Sequence, residues 1–226
     1  MLEPRDIEGA ERLAGVTYTA AERAQTGTSI YDAVKLQTED LRKAGVSVAA
    51  YDIKLDDDRA GPLREHAADI GVALAKSHAD LTGQSDLIVS VVTASQAVPV
   101  AEACAPTVRQ GTWYLDFNSA SPGAKQRAAA LIDGAHGRYV EGAVMTSVPP
   151  YGIKVPMLLG GARAAELAAR FTAWGLDAKA VSDKLGIASA IKMSRSVMIK
   201  GLEALVIESY ATARHYGVED YVLPTL

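Results

Sequence analysis

The sequence predicts a doubly wound α/β sheet followed by one long helix that opens a second, all-helical layer. Three observations lead there. From residue 32 onward, segments of helical period alternate with short apolar runs. One run, DLIVSVVT at 86–93, is apolar and β-branched, as strands covered on both faces are. The stretch from Gly186 to about Tyr216 keeps a helical pattern for too long to be another crossover between strands.

Taken in order, YDAVKLQTEDLRKAG reads as a helix closed by Gly45, and VSVAAYD as a strand ending in the acid Asp52. GPLREHAADIG is a helix with Pro62 near its start, and GVALA a short strand. After DLIVSVVT comes SQAVPVAEACAPTV, helical but interrupted by prolines, and then the strand GTWYLDF. SPGAKQRAAALIDGAHG gives a helix, RYVEGAVMTS and KVPMLLGG two strands, and ARAAELAARFTAWG an amphipathic helix. LDAKAVS is the last short strand. Right-handed crossovers would join these strands into a parallel sheet. The expected division is a sheet domain over 1–183, with 1–44 atypical, and the start of a helical domain over 184–226.

Composition narrows the class. The 226 residues are 49% hydrophobic and 22% charged, with a formal net charge of −4, so a sizeable core is expected and an electrostatic partner such as nucleic acid or an anionic membrane is not. One cysteine, Cys104, fits a reducing cytoplasm and excludes an internal disulfide. No run approaches the roughly 20 apolar residues of a membrane span, and the N-terminus lacks a signal-peptide pattern. The histidines His66, His78, His136 and His215 are scattered without metal-ligand spacing, so no metal site is expected.

Ligands of open α/β sheets bind beyond the carboxyl ends of the strands. Three strand ends here carry chemistry: Asp52, the TAS at 93–95, and DFNSASPG. In the last, a strand ending in Asp116 runs into Asn118, Ser119 and Ser121 before a proline that starts a helix. Ser121 reads as the cap of that helix, whereas Asn118 and Ser119 suit a substrate carboxylate or hydroxyl. On the long helix, Lys192, Ser196 and Lys200 fall at i, i+4 and i+8 and line one face. Taken alone, that stripe is also what a solvated amphipathic face looks like.

In this order the pieces resemble the β-hydroxyacid dehydrogenase family, which includes 6-phosphogluconate and 3-hydroxyisobutyrate dehydrogenases. DFNSASP is similar to the family's substrate loop. Gly186, Lys192 and Ser196 occupy the positions of its catalytic motif, with serine where asparagine is usual. VMTSVPPYGIKVPMLLGG resembles the intervening stretch in a bacterial subgroup whose C-terminal domain has no assigned function. The likeness covers roughly residues 45–226 and implies a Rossmann-like dinucleotide-binding domain, an interdomain helix and a dimer.

It also implies NAD(P)-linked chemistry on a small β-hydroxyacid. Lys192 would be the proton-transfer group, its pKa lowered by burial and by Lys200. Asn118, Ser119, Ser196 and Lys200 would bind substrate, and Val92 and Thr93 would lie beside the nicotinamide. Asp52 would bind the ribose, favouring NAD over NADP, although Lys54 follows closely. Two departures stand against this. Where the family's G-x-G-x-x-G loop is expected, near residues 29–34, the chain reads SIYDAV, with Gly27 the only nearby glycine. The chain also ends where the family's helical domain would continue. The alternatives are therefore a cofactor-impaired enzyme, a non-catalytic α/β ligand-binding module of dehydrogenase ancestry, and an interaction protein using the apolar face of the long helix.

Overall fold

The computed structural model describes residues 41–42, 45–58, 60–146, 148 and 151–225. The expected glycine loop at 29–34 and most of the helix at 31–45 lie outside the described residues. The chain forms two compact units, with a boundary between Lys192 and Met193.

In the first unit, Gly45 turns the chain out of its helix at φ +81, and its amide donates to Arg42 O at 2.9 Å. Left-handed backbone of this kind favours glycine. Strands β1 (Ala49–Ala50) and β2 (Ala73–Leu74) pair in parallel around helix α1 (Ala60–Asp69). Helix α2 (His78–Gln84) was not foreseen. Its seven residues are too few for a periodic signal, and its start is set locally by Ser77, whose Oγ accepts from Asp80 N.

The main sheet runs in the order β3 (Leu87–Ser90), β4 (Trp113–Asp116), β5 (Arg138–Val144), β6 (Met157–Gly160), β7 (Ala178–Ser182). Helices α3 (Ala97–Cys104) and α4 (Pro122–Gly134) carry the crossovers from β3 to β4 and from β4 to β5, and both of these pairings are parallel. The β5–β6 pairing is antiparallel, which departs from an all-parallel sheet. A parallel return needs a crossover, usually a helix, and among the described residues this connection carries only the short 3-10 turn Gly152–Lys154. Helix α5 (Ala164–Ala173) then restores a parallel β6–β7 pairing.

Side-chain alternation along β4 and β5 divides the core between the two faces of the sheet. Trp113, Leu115 and Val140 pack with Met157, Leu159 and the α5 residues Leu167 and Phe171. Tyr114 and Tyr139, with rings stacked 5.9 Å apart, pack with Cys104 of α3 and Ala128, Ala129 and Ile132 of α4. Helices thus cover both faces, as in a doubly wound Rossmann-like domain.

Helix α6 (Ile187–His215) begins in the first unit and ends in the second. The second unit continues it and adds α7 (Glu219–Val222). Met198, Leu202 and Leu205 of α6 are exposed. Among the described residues no helix is long and apolar enough to cross a membrane.

Leu115 is fully buried in the core between the sheet and α5. Leu115→Ala should lower unfolding free energy by about 2–5 kcal/mol, measured by urea denaturation, with an unchanged m-value.

Candidate functional site

Strand β4 is fully buried, so its terminal carboxylate must be satisfied within the protein. Asp116 Oδ1 accepts from Lys125 Nζ at 2.7 Å and from Asn118 N at 2.9 Å. Its Oδ2 accepts from the Tyr139 hydroxyl at 2.7 Å. Lys125 also donates to Asp116 O at 2.7 Å, and both side chains are wholly shielded from solvent. Lys125 reaches inward because Ser121 caps α4, its Oγ accepting from Ala124 N at 3.3 Å, one turn before the lysine. Burial, then the Asp116 charge, pushes the Tyr139 hydroxyl well above the usual phenol range, which keeps it a donor.

These bonds fold the chain after β4 into a fixed loop. Asn118 is buried, its Oδ1 accepting from Val92 N at 2.6 Å and its Nδ2 donating to Ser90 Oγ at 2.9 Å. Asn118 thereby ties the carboxyl ends of β3 and β4 together. Ser119, the next residue, is exposed.

The other partner of the site comes from α6. Glu141 of β5 is fully buried, and its Oε2 accepts from Gly186 N at 2.8 Å while Oε1 accepts from Ala188 N at 2.7 Å. Ser189 Oγ adds a longer bond of 3.3 Å to Oε2. A carboxylate at a helix N-terminus meets free amides and the positive end of the helix dipole. Gly186 adopts φ +92, and a Cβ there would lie 2.9 Å from Pro122 Cβ, so both conformation and space require glycine.

Anchored in this way, α6 brings Lys192 Nζ to 3.1 Å from Ser119 Oγ. Burial, and secondarily the positive charge of Lys125, holds the Lys192 ammonium below the ordinary lysine range. The cation acting on Lys192 within this unit is Lys125, where the sequence had singled out Lys200. Ser196 and Lys200 belong to the second unit.

Of the residues expected from sequence, the fold brings Asn118, Ser119 and Lys192 together and ties Val92 to them through its amide. Val92 and Thr93 are exposed just beyond β3. Asp52 lies beyond β1, where its Oδ1 accepts from Lys54 N and caps a short turn. Lys125, Tyr139 and Glu141 were missed. The available signal was a charge among small or apolar residues, Lys125 in SPGAKQRAAA and Glu141 in RYVEGAV, which demands a partner where it is buried. Among the described residues no group of three or more His, Cys, Asp or Glu is placed to hold a metal ion.

Glu141→Gln preserves volume, but its single carbonyl oxygen can accept from only one of the Gly186 and Ala188 amides, through a neutral bond, and its NH2 group faces the other. It should lower stability by about 1–3 kcal/mol in urea denaturation.

No protein-family profile matches the chain. It is 29% identical over 168 residues to an uncharacterized 28.5 kDa protein in the 7S RNA 5′ region of Methanothermus fervidus, covering 74% of this chain and 64% of that protein. The chain thus spans somewhat less than two thirds of that relative's length. It is 38% identical to a conserved hypothetical protein of Sinorhizobium meliloti 1021, with a TM-score of 0.70 over 88% of this chain and 66% of the other. A 3-hydroxyisobutyrate dehydrogenase of Mycobacterium tuberculosis, 17% identical, and an imine reductase of Myxococcus stipitatus in complex with NADP+, 18% identical, share the fold at TM-scores of 0.65 and 0.68. They cover 81% and 84% of this chain and 62% and 65% of their own. MTH1747, a conserved protein of unknown function described as structurally similar to 3-hydroxyacid dehydrogenases, is 30% identical, with a TM-score of 0.67 over 84% of this chain and 70% of its own. With the Ser119–Lys192 pair at the strand ends of a Rossmann-like sheet, the chain belongs to the same family, the β-hydroxyacid dehydrogenase-like proteins.

Proposed function

We propose that the protein is an NAD(P)-linked oxidoreductase for a small β-hydroxyacid, with a weakened grip on its cofactor. The observation that carries this reading is the 3.1 Å contact between Lys192 Nζ and Ser119 Oγ beyond the end of β4. A bound nicotinamide supplies the hydride acceptor for oxidation, or the donor for the reverse reduction. Lys192, in its neutral form, takes the proton of the substrate hydroxyl as the carbonyl forms. Ser119 shares that hydroxyl with Lys192, and Asn118 holds the loop in place. Val92 and Thr93 pack beside the nicotinamide, and Asp52 bonds the ribose, which favours NAD over NADP. The exposed apolar side chains of the second unit support a homodimer, and the single cysteine supports a cytoplasmic setting.

SIYDAV in place of a glycine loop favours a second reading, a ligand-binding module that no longer turns over. Two charge-assisted bonds to the pyrophosphate, each worth about 1.5–3 kcal/mol, correspond to at least about a hundredfold in affinity. Isothermal titration should therefore find NAD binding weaker by that factor than in a relative with the loop. Micromolar binding would show the weakened-grip reading to be wrong.

Lys192→Met keeps side-chain length and helix propensity, so it should abolish turnover with little change in melting temperature. Retained turnover would return Lys192 to the role of a solvated helix residue. Ser119→Ala should impair substrate handling while leaving thermal stability nearly unchanged. The pH dependence follows from the depressed Lys192. Oxidation needs the neutral amine, so its rate should rise as pH climbs through a midpoint below the ordinary 10.5 and fall away on the acid side.

A further inference from the structure

Lys125 is a fully buried lysine that the proposed chemistry does not itself use. Its two bonds to Asp116 O and Oδ1 account for its burial, yet its surroundings give it a second consequence. Asp116 and Glu141 are paired residues across the β4–β5 ladder, so two carboxylates stand side by side in a region without solvent. The titratable groups around Lys125 are Asp116 and Tyr114 of β4, Tyr139 and Glu141 of β5, and Lys192 of α6, with Cys104 of α3 behind Tyr114.

We propose that Lys125 is a positioning residue for Lys192: clamped on Asp116, it fixes the Asp116–Ser119 loop and keeps a buried positive charge behind the Ser119–Lys192 pair. The inference deepens the proposed function and rests on Lys192 being the proton-transfer group. Two links carry it. Asp116 Oδ1 is shared between Lys125 Nζ and the Asn118 amide, so the lysine and the loop turn are held by one atom. Ser119 follows Asn118 directly, so the hydroxyl that meets Lys192 is carried by that turn. The second link is electrostatic. Second to burial, the Lys125 charge favours loss of the proton from the half-buried Lys192. A lysine that only neutralised Asp116 would stabilise the fold and leave Lys192 unaffected.

The test reads Lys192 itself in the full-length protein. Acetic anhydride labelling across a pH series, quantified on the Lys192 peptide by mass spectrometry, reports the midpoint of that amine. In the wild-type protein the midpoint is expected below that of an ordinary lysine. An ordinary midpoint there overturns the proposal, whatever the variants do. Lys125→Met should raise it by about one pH unit, a tenfold fall in the neutral fraction at a given pH. Lys125→Met strands a buried carboxylate and can fail to fold, so the double variant Lys125→Met with Asp116→Asn removes both charges together. Set against Asp116→Asn alone, the double variant should show a raised midpoint, and an equal one overturns the proposal. Turnover by Lys192→Met is a separate measurement. It judges the assignment of Lys192 and leaves the measured influence of Lys125 on its ionisation as it stands.

Discussion

Two carboxylates placed side by side in a dry sheet set the terms for the rest of the site. Asp116 and Glu141 are partners across the β4–β5 ladder, and neither reaches solvent. Unpaired, each would carry a desolvation cost of several kcal/mol, and their mutual repulsion would add to it. The fold neutralises them by different means. Asp116 receives the Lys125 ammonium and the Tyr139 hydroxyl, and Glu141 receives the amide end of α6. Lys125 lies close enough to feel both charges.

The two solutions position different halves of the site. Neutralising Asp116 folds the loop that carries Asn118 and Ser119. Neutralising Glu141 fixes where α6 starts, and the start of a helix fixes the direction of every side chain along its first turns. Glycines make room for this arrangement. A Cβ on Gly160 would lie 2.5 Å from Glu141 Oε1, and one on Gly186 would press against Pro122. Lys192 meets Ser119 because two buried charges, on adjacent strands, each have their own set of partners.

This economy bears on the chain's place among its relatives. Ser119 and Lys192 both lie in the first unit, where buried hydrogen bonds brace the loop after β4 and the start of α6. In the proposed function, cofactor affinity and Lys192 chemistry are therefore separate questions: the Ser119–Lys192 pair is held by these bonds, and the departure from the family pattern lies in the sequence near residues 29–34.

Much of this was legible in the sequence. Alternating apolar and helical-period segments specify strands and helices locally, so β3 to β7, α3 to α5 and the span of α6 follow from the residues, as does the Ser121 cap. Asn118, Ser119 and Lys192 could be singled out because polar groups at a strand end and on an apolar helix are locally anomalous. The antiparallel β5–β6 pairing was not legible, because strand direction depends on whether a helix intervenes in a connection. Nor were the partners of Asp116 and Glu141. A buried charge announces only that it needs a partner. Which one it takes depends on residues up to 48 positions away that the packed sheet alone brings within bonding distance.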